Sequence, residues 1–183
     1  MIKRSMVVGL ALVCVLMLGS IGANAAPISS GAATTSLLAA GLEGGMGSTI
    51  GPDGALYVTE PIAGRISRID PKTGDTTTFA SGLPAMLPAV GLGGVMDVAF
   101  VDQTAYALVT LVGPDVGGSD VAGIYRVDGP DSYTVVADIG QWSIDNPPLG
   151  WPDCCAVASG VQYAMQPYRG GFLVTDGHHN RVL

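Results

Sequence analysis

Charge is scarce in this sequence, and basic charge is scarcest. Eight Lys and Arg stand against fifteen Asp and Glu, a formal net charge of −7. No basic stripe is present to follow a phosphate backbone, which removes nucleic acid as a partner. Nor is there a polybasic patch for anionic lipid. Histidine occurs only as the adjacent pair His178-His179, so no Cys/His or His/Glu spacing completes a zinc set. The chain also lacks a G-x-S-x-G nucleophile elbow, a phosphate-cradling G-x-x-x-x-G-K-[ST] loop and a dinucleotide fingerprint. Amphipathic helical stretches of useful length are missing too.

Long apolar runs are equally rare, and the one that stands out comes first. Met6 to Leu18 (MVVGLALVCVLML) follows Lys3 and Arg4 and leads to Ser20–Ala25, where Ala23 and Ala25 form an A-x-A pattern. That arrangement reads as a secretory signal peptide, residues 1–25, cut after Ala25. The run is shorter than the ~20 residues a membrane span needs. Cys14 follows Val13 rather than a small residue, so it reads as filler and not as a lipoprotein signal. Cleavage takes Lys3 and Arg4 away, moving the charge from −7 to −9. No second stretch is long and apolar enough for a membrane span after signal cleavage. The expected location is therefore periplasmic or extracellular, and the remaining length suits one domain.

Export permits disulfides, yet the two remaining cysteines, Cys154 and Cys155, are neighbours. Their Cα atoms sit only ~3.8 Å apart, closer than the ~4.4–6.8 Å of ordinary bridges. A strained vicinal ring, two free thiols and pairing with a cysteine outside this chain all stay open.

What the chain has in quantity is glycine and repetition. Three segments share one plan: Gly45 to Glu60 (GMGSTIGPDGALYVTE), Gly94 to Thr110 (GVMDVAFVDQTAYALVT) and Gly160 to Asp176 (GVQYAMQPYRGGFLVTD). Each is a short apolar strand, a turn and a β-rich run, which is the hairpin pattern. The turns fall at Gly51-Pro52-Asp53-Gly54, Asp102-Gln103-Thr104 and Pro167 to Gly171. A second unit follows in the first two copies. Ile66–Asp70 (ISRID) matches Ile124–Asp128 (IYRVD), and each leads through a turn to Asp75–Ala80 or Ser132–Ala137.

Four antiparallel strands in roughly 40–50 residues is the mark of a propeller blade. The expected fold is all-β, a β-propeller of four-stranded antiparallel blades, over residues 37–183 after a linker at 26–36. Blades are expected at 45–81, 94–138 and 160–183, with a Pro-rich insertion at 141–159. A β-sandwich would not explain the in-register repetition. Leu37–Leu42 (LLAAGL) resembles Phe79–Leu83 (FASGL), the end of an outermost strand. Propellers have about four to eight blades, and about two and a half are present, so the ring is incomplete and the chain reads as the N-terminal part of a longer protein.

GPDGALYVTE, followed by GRISRIDPKTGDTTTFASGLP, resembles the exported ScyD/ScyE family of bacterial β-propeller proteins, and the likeness runs from Leu38 through the TDGHHNRVL ending. G-P-D-G before a strand is also similar to NHL-repeat proteins, gluconolactonase-like lactonases and streptogramin-lyase-like propellers. The ScyD/ScyE resemblance implies a secreted or periplasmic propeller without an assigned reaction, and it transfers no catalytic residue.

Ligands of propellers meet loops at one mouth of the channel, here Glu60–Gly64, Thr110–Gly123 and Asp176–Asn180. Glu60 and Asp176 fall at equivalent places, and carboxylates converging there would suit Ca2+ or another divalent ion. Alternatively, an acid ending a strand accepts backbone hydrogen bonds in the next turn, a role that recurs from blade to blade. His178 is the third candidate ligand, although adjacent residues of an extended segment point to opposite sides. Asp97, in an inner strand, is the fourth candidate ligand, and it either lines the channel or bonds a neighbouring blade. Trp142 and Trp151 either stack on a ring or pin the insertion. The leading expectation is a non-enzymatic exported propeller that binds a small molecule, glycan or protein. A metal-dependent hydrolase or lyase of the lactonase-like class is second, and an adhesion or envelope module third.

Overall fold

The computed structural model describes residues 33–150 and 157–183. The signal segment, the first part of the linker, Trp151 and the Cys154-Cys155 pair lie outside the described residues. The chain divides into Met1–Thr35 and Ser36–Leu183, and all the strands belong to the second unit.

That unit is built from three antiparallel sheets, each laid down in chain order. The first holds β1 (Ser48–Ile50), β2 (Leu56–Glu60), β3 (Arg65–Ile69) and β4 (Thr76–Ala80). The second holds β5 (Gly94–Val101), β6 (Thr104–Thr110), β7 (Gly123–Gly129) and β8 (Ser132–Asp138). The third holds β9 (Gln162–Tyr168), β10 (Gly171–Asp176) and β11 (Arg181–Val182). Turn chemistry sets these boundaries. Between β1 and β2, Gly54 takes φ +79°, a value that favours glycine, while Asp53 Oδ1 accepts from Ala55 N at 3.1 Å.

The sheets stack face to face in series. Tyr57, Ile66 and Ala80 of the first pack on Val95, Val98, Ala107 and Val109 of the second. The other face of the second, with Ala99, Leu108 and Ile124, packs on Met165 and Val174 of the third. Successive β6 residues therefore serve opposite neighbours, and this is why TAYALVT reads as a nearly unbroken apolar run. Aromatic rings lock the first junction: Tyr57 meets Phe79 at 4.9 Å and Phe100 at 4.8 Å, both edge to face. A hydroxyl ties the same blades at their inner ends, with Thr59 Oγ1 donating to Met96 O at 3.0 Å. A two-layer sandwich has no middle sheet covered on both faces. The fold is that of an incomplete β-propeller, two four-stranded blades and one of three strands.

Three local features differ from the sequence reading. Leu37–Leu42 forms no strand, yet Gly41 (φ +80°) repeats the left-handed conformation of Gly82 (φ +76°). The turn after β9 is only Arg169-Gly170, and Pro167 sits inside that strand, where an edge position tolerates its missing N–H. The insertion begins with a helix, α1 (Ile139–Asp145), capped by Asp138, whose Oδ1 accepts from Gln141 N at 2.8 Å. On the third blade, the face turned away from the second remains open. Leu173 and Tyr163 are 42% and 46% exposed there, whereas Tyr57, facing the next sheet from blade 1, is 4% exposed.

Candidate functional site

The acids at the ends of β2 and β10 are held by arginines. Glu60 stands directly across the hairpin from Arg65, the first residue of the third strand. Asp176 stands in the same way across from Arg181. Blade 2 puts Val109 opposite Gly123, so both partners are absent together. Glu60 Oε1 and Oε2 accept from Arg65 Nε and Nη2 at 3.0 and 2.8 Å, and the carboxylate also takes the Glu43 amide and the Ser67 hydroxyl. Burial pushes this fully buried carboxyl up, but Arg65, the Glu43 amide and Ser67 outweigh it and bring the pKa down to about 2. Asp176 accepts from Val161 N at 3.1 Å, His179 N at 3.3 Å and Arg181 Nε at 3.1 Å, with His179 Nδ1 at 2.9 Å from Oδ2. Arg181 continues to Asn146 O at 2.7 Å and lies over the Trp142 ring, which anchors α1 to blade 3. His178 Nε2 accepts from Val157 N at 2.9 Å where the chain leaves the insertion.

These contacts give Glu60, Asp176 and His178 each a structural partner. Among the described residues, no group of three or more His, Cys, Asp or Glu side chains is placed to hold a metal ion.

Asp97 differs in belonging to one blade alone. It faces Leu108 across the hairpin, a position that blades 1 and 3 give to Gly47, opposite Thr59, and Ala164, opposite Thr175. Roles that the fold needs recur from blade to blade; this carboxylate does not recur. A β-bulge at Met96 re-aims it. Oδ1 accepts from Val98 N at 2.9 Å and Oδ2 from Met165 N of blade 3 at 2.8 Å. Burial raises its pKa, and the Met165 and Val98 amides only partly oppose that rise.

The carboxylate lines a groove of about 440 Å³ along the unpaired edges of β1, β5 and β9, the innermost strand of each blade. Thr49 of β1 and Gln166 of β9 share this wall, and the lining has no second charged side chain. Sequence reading singled out Asp97 but missed Thr49 and Gln166, because only blade stacking brings three first strands to one surface. A second groove, about 450 Å³ and lined by Tyr106, Val136 and Phe172, is apolar. It opens between the outer strands of blade 2 and blade 3, where β11 has two residues against five in β3.

Gly47 leaves the room Asp97 needs. A Cβ there would lie 2.4 Å from both Asp97 Oδ1 and Met96 O. Gly47→Ala is expected to shift Asp97 and part blades 1 and 2 at their inner ends, costing about 1–3 kcal/mol, the range of overpacking. Urea denaturation checks the cost, and the Met165 amide shift checks the loss of its Asp97 contact.

No family model matches the chain, and no curated protein matches it. Solved structures do. The PQQ-bound aldose sugar dehydrogenase of Streptomyces coelicolor is similar over 57% of this chain and 32% of its own, with 23% identity and a TM-score of 0.43. The virginiamycin B lyase of Staphylococcus aureus is similar over 76% of this chain and 37% of its own, with 20% identity and a TM-score of 0.43. This chain spans about a third of either protein, and no functional residue is carried over from them.

Proposed function

We propose that this chain is an exported propeller protein of the ScyD/ScyE kind, periplasmic or extracellular, that binds a polar small molecule along its inner groove without transforming it. The observation that supports this reading most is the non-recurring Asp97 on a polar surface shared with Thr49 and Gln166. Repeated acids, by contrast, are saturated by arginine and backbone donors. A groove lined by hydroxyl, carboxylate and carboxamide groups offers directional contacts for orienting a solute.

The reading is tested by titrating the protein with a library of small polar compounds and mapping backbone amide shifts. Binders should perturb Thr49, Asp97 and Gln166 together and remain bound in the presence of EDTA. Perturbations confined to the Glu60 or Asp176 loops, or binding abolished by EDTA, would favour the metal-dependent enzyme instead.

A further inference from the structure

Resting on that binding reading, we infer that the inner groove recognises its ligand through a protonated amine or guanidinium group seated on Asp97, with Thr49 and Gln166 flanking it. Three observations lead there. First, the Asp97 carboxylate is half-buried and has no basic partner among the described residues, whereas Glu60, Asp176, Asp53 and Asp128 each have an arginine. A partly desolvated charge without a counter-charge is costly, and a cationic ligand is the complement that offsets the cost. Second, each oxygen already accepts one amide, from Val98 and from Met165, so the carboxylate is fixed in orientation. An ionised carboxylate has about four acceptor sites, so acceptor capacity remains beyond these two amides. A cationic N–H donor can use it in a charge-assisted contact.

Third, the lining disfavours other classes. Calcium would find a single anionic ligand here, with the rest of its six to eight oxygens left to hydroxyl, carboxamide and backbone groups or water. Anions are disfavoured by Asp97 itself and by the formal charge of −7, which also draws cations toward the protein. Neutral polyols would leave the carboxylate uncompensated. Thr49 and Gln166 add a hydroxyl and a carboxamide, which can accept from the remaining N–H groups of an amine or guanidinium.

Agmatine, which carries an amine and a guanidinium, is a suitable probe, with 1,4-butanediol and succinate as neutral and anionic counterparts. Agmatine should shift the amides of Thr49, Asp97 and Gln166 and lower the titration midpoint of the Asp97 carboxyl carbon. Asp97→Asn should weaken agmatine at least about tenfold, the scale of one charge-assisted contact. Asp102→Asn, at an exposed turn, should leave affinity within about twofold, as expected of a screened surface charge. If Asp97→Asn does not fold, the native protein decides: agmatine should be released as Asp97 takes up a proton. Agmatine binding that persists in Asp97→Asn, or through Asp97 protonation, overturns the inference. Butanediol binding in the groove as tightly as agmatine overturns the cationic class while leaving the binding function standing. If no compound of any charge perturbs the groove, both fall.

Discussion

Leu108→Ala is expected to destabilise the protein by about 3 kcal/mol, within the range for truncating a large buried aliphatic side chain. Leu108 is completely buried and lies between blades 2 and 3, clustered with Ile124, Ile139, Met165 and Val174. Two β-sheets meeting through alternating side chains cannot readily close over the void, because the hydrogen-bonded strands fix their separation. Leu173 provides the internal comparison. It projects from the second strand of its own blade in the same direction, yet it is 42% exposed because no further sheet covers it. Leu173→Ala should therefore cost under about 1 kcal/mol. Urea denaturation of both variants, with unchanged slopes, gives the comparison. Equal costs would mean that the second and third sheets are not stacked as described.

Arg65→Ala should cost about 2–3 kcal/mol near neutral pH, somewhat below the range for breaking a fully buried pair because the Arg65 side chain is 28% exposed. The loss arises mainly from Glu60, a buried carboxylate left with only the Glu43 amide and the Ser67 hydroxyl. The sign of the pH dependence follows from the direction of the shift. The folded pKa of Glu60 is about 2, below the reference value of 4.5. Its contribution is therefore complete above pH 4.5 and declines as pH falls toward 2, amounting to about 3 kcal/mol at ~1.4 kcal/mol per unit. The gap between wild type and Arg65→Ala should close across that window. A gap that persists at pH 2 would assign Arg65 a packing role instead. Arg68, whose pair with Asp53 is exposed on both sides, should show no resolvable effect on truncation.

The blade plan was legible because turns and strands are local. Gly51-Pro52-Asp53-Gly54 and the ISRID/IYRVD match announce hairpins that the structure contains. Helix α1 was not legible: seven residues are too few to display a helical period, and its cap, Asp138, is itself the last residue of β8. The spacing from Glu60 to Arg65 and from Asp176 to Arg181 held the ion pairs in plain view, since a short hairpin sets those residues opposite each other. The acids alone leave metal ligand and recurring structural acceptor both open; the arginines opposite them add a repeated clasp. The inner groove could not be read from one strand at a time. Thr49, Asp97 and Gln166 come from three blades and meet only after stacking.

Stacking in series is the claim on which the groove and the ligand class both depend. Through-space contacts between aromatic rings and methyl groups in solution test it most directly. Cross-peaks are expected from Tyr57 to Phe100 and Val98, and from Tyr106 to Phe172, with none joining Tyr57 to Phe172. Cross-peaks joining Tyr57 to Phe172 or Val174 would place the first sheet against the third and contradict the account.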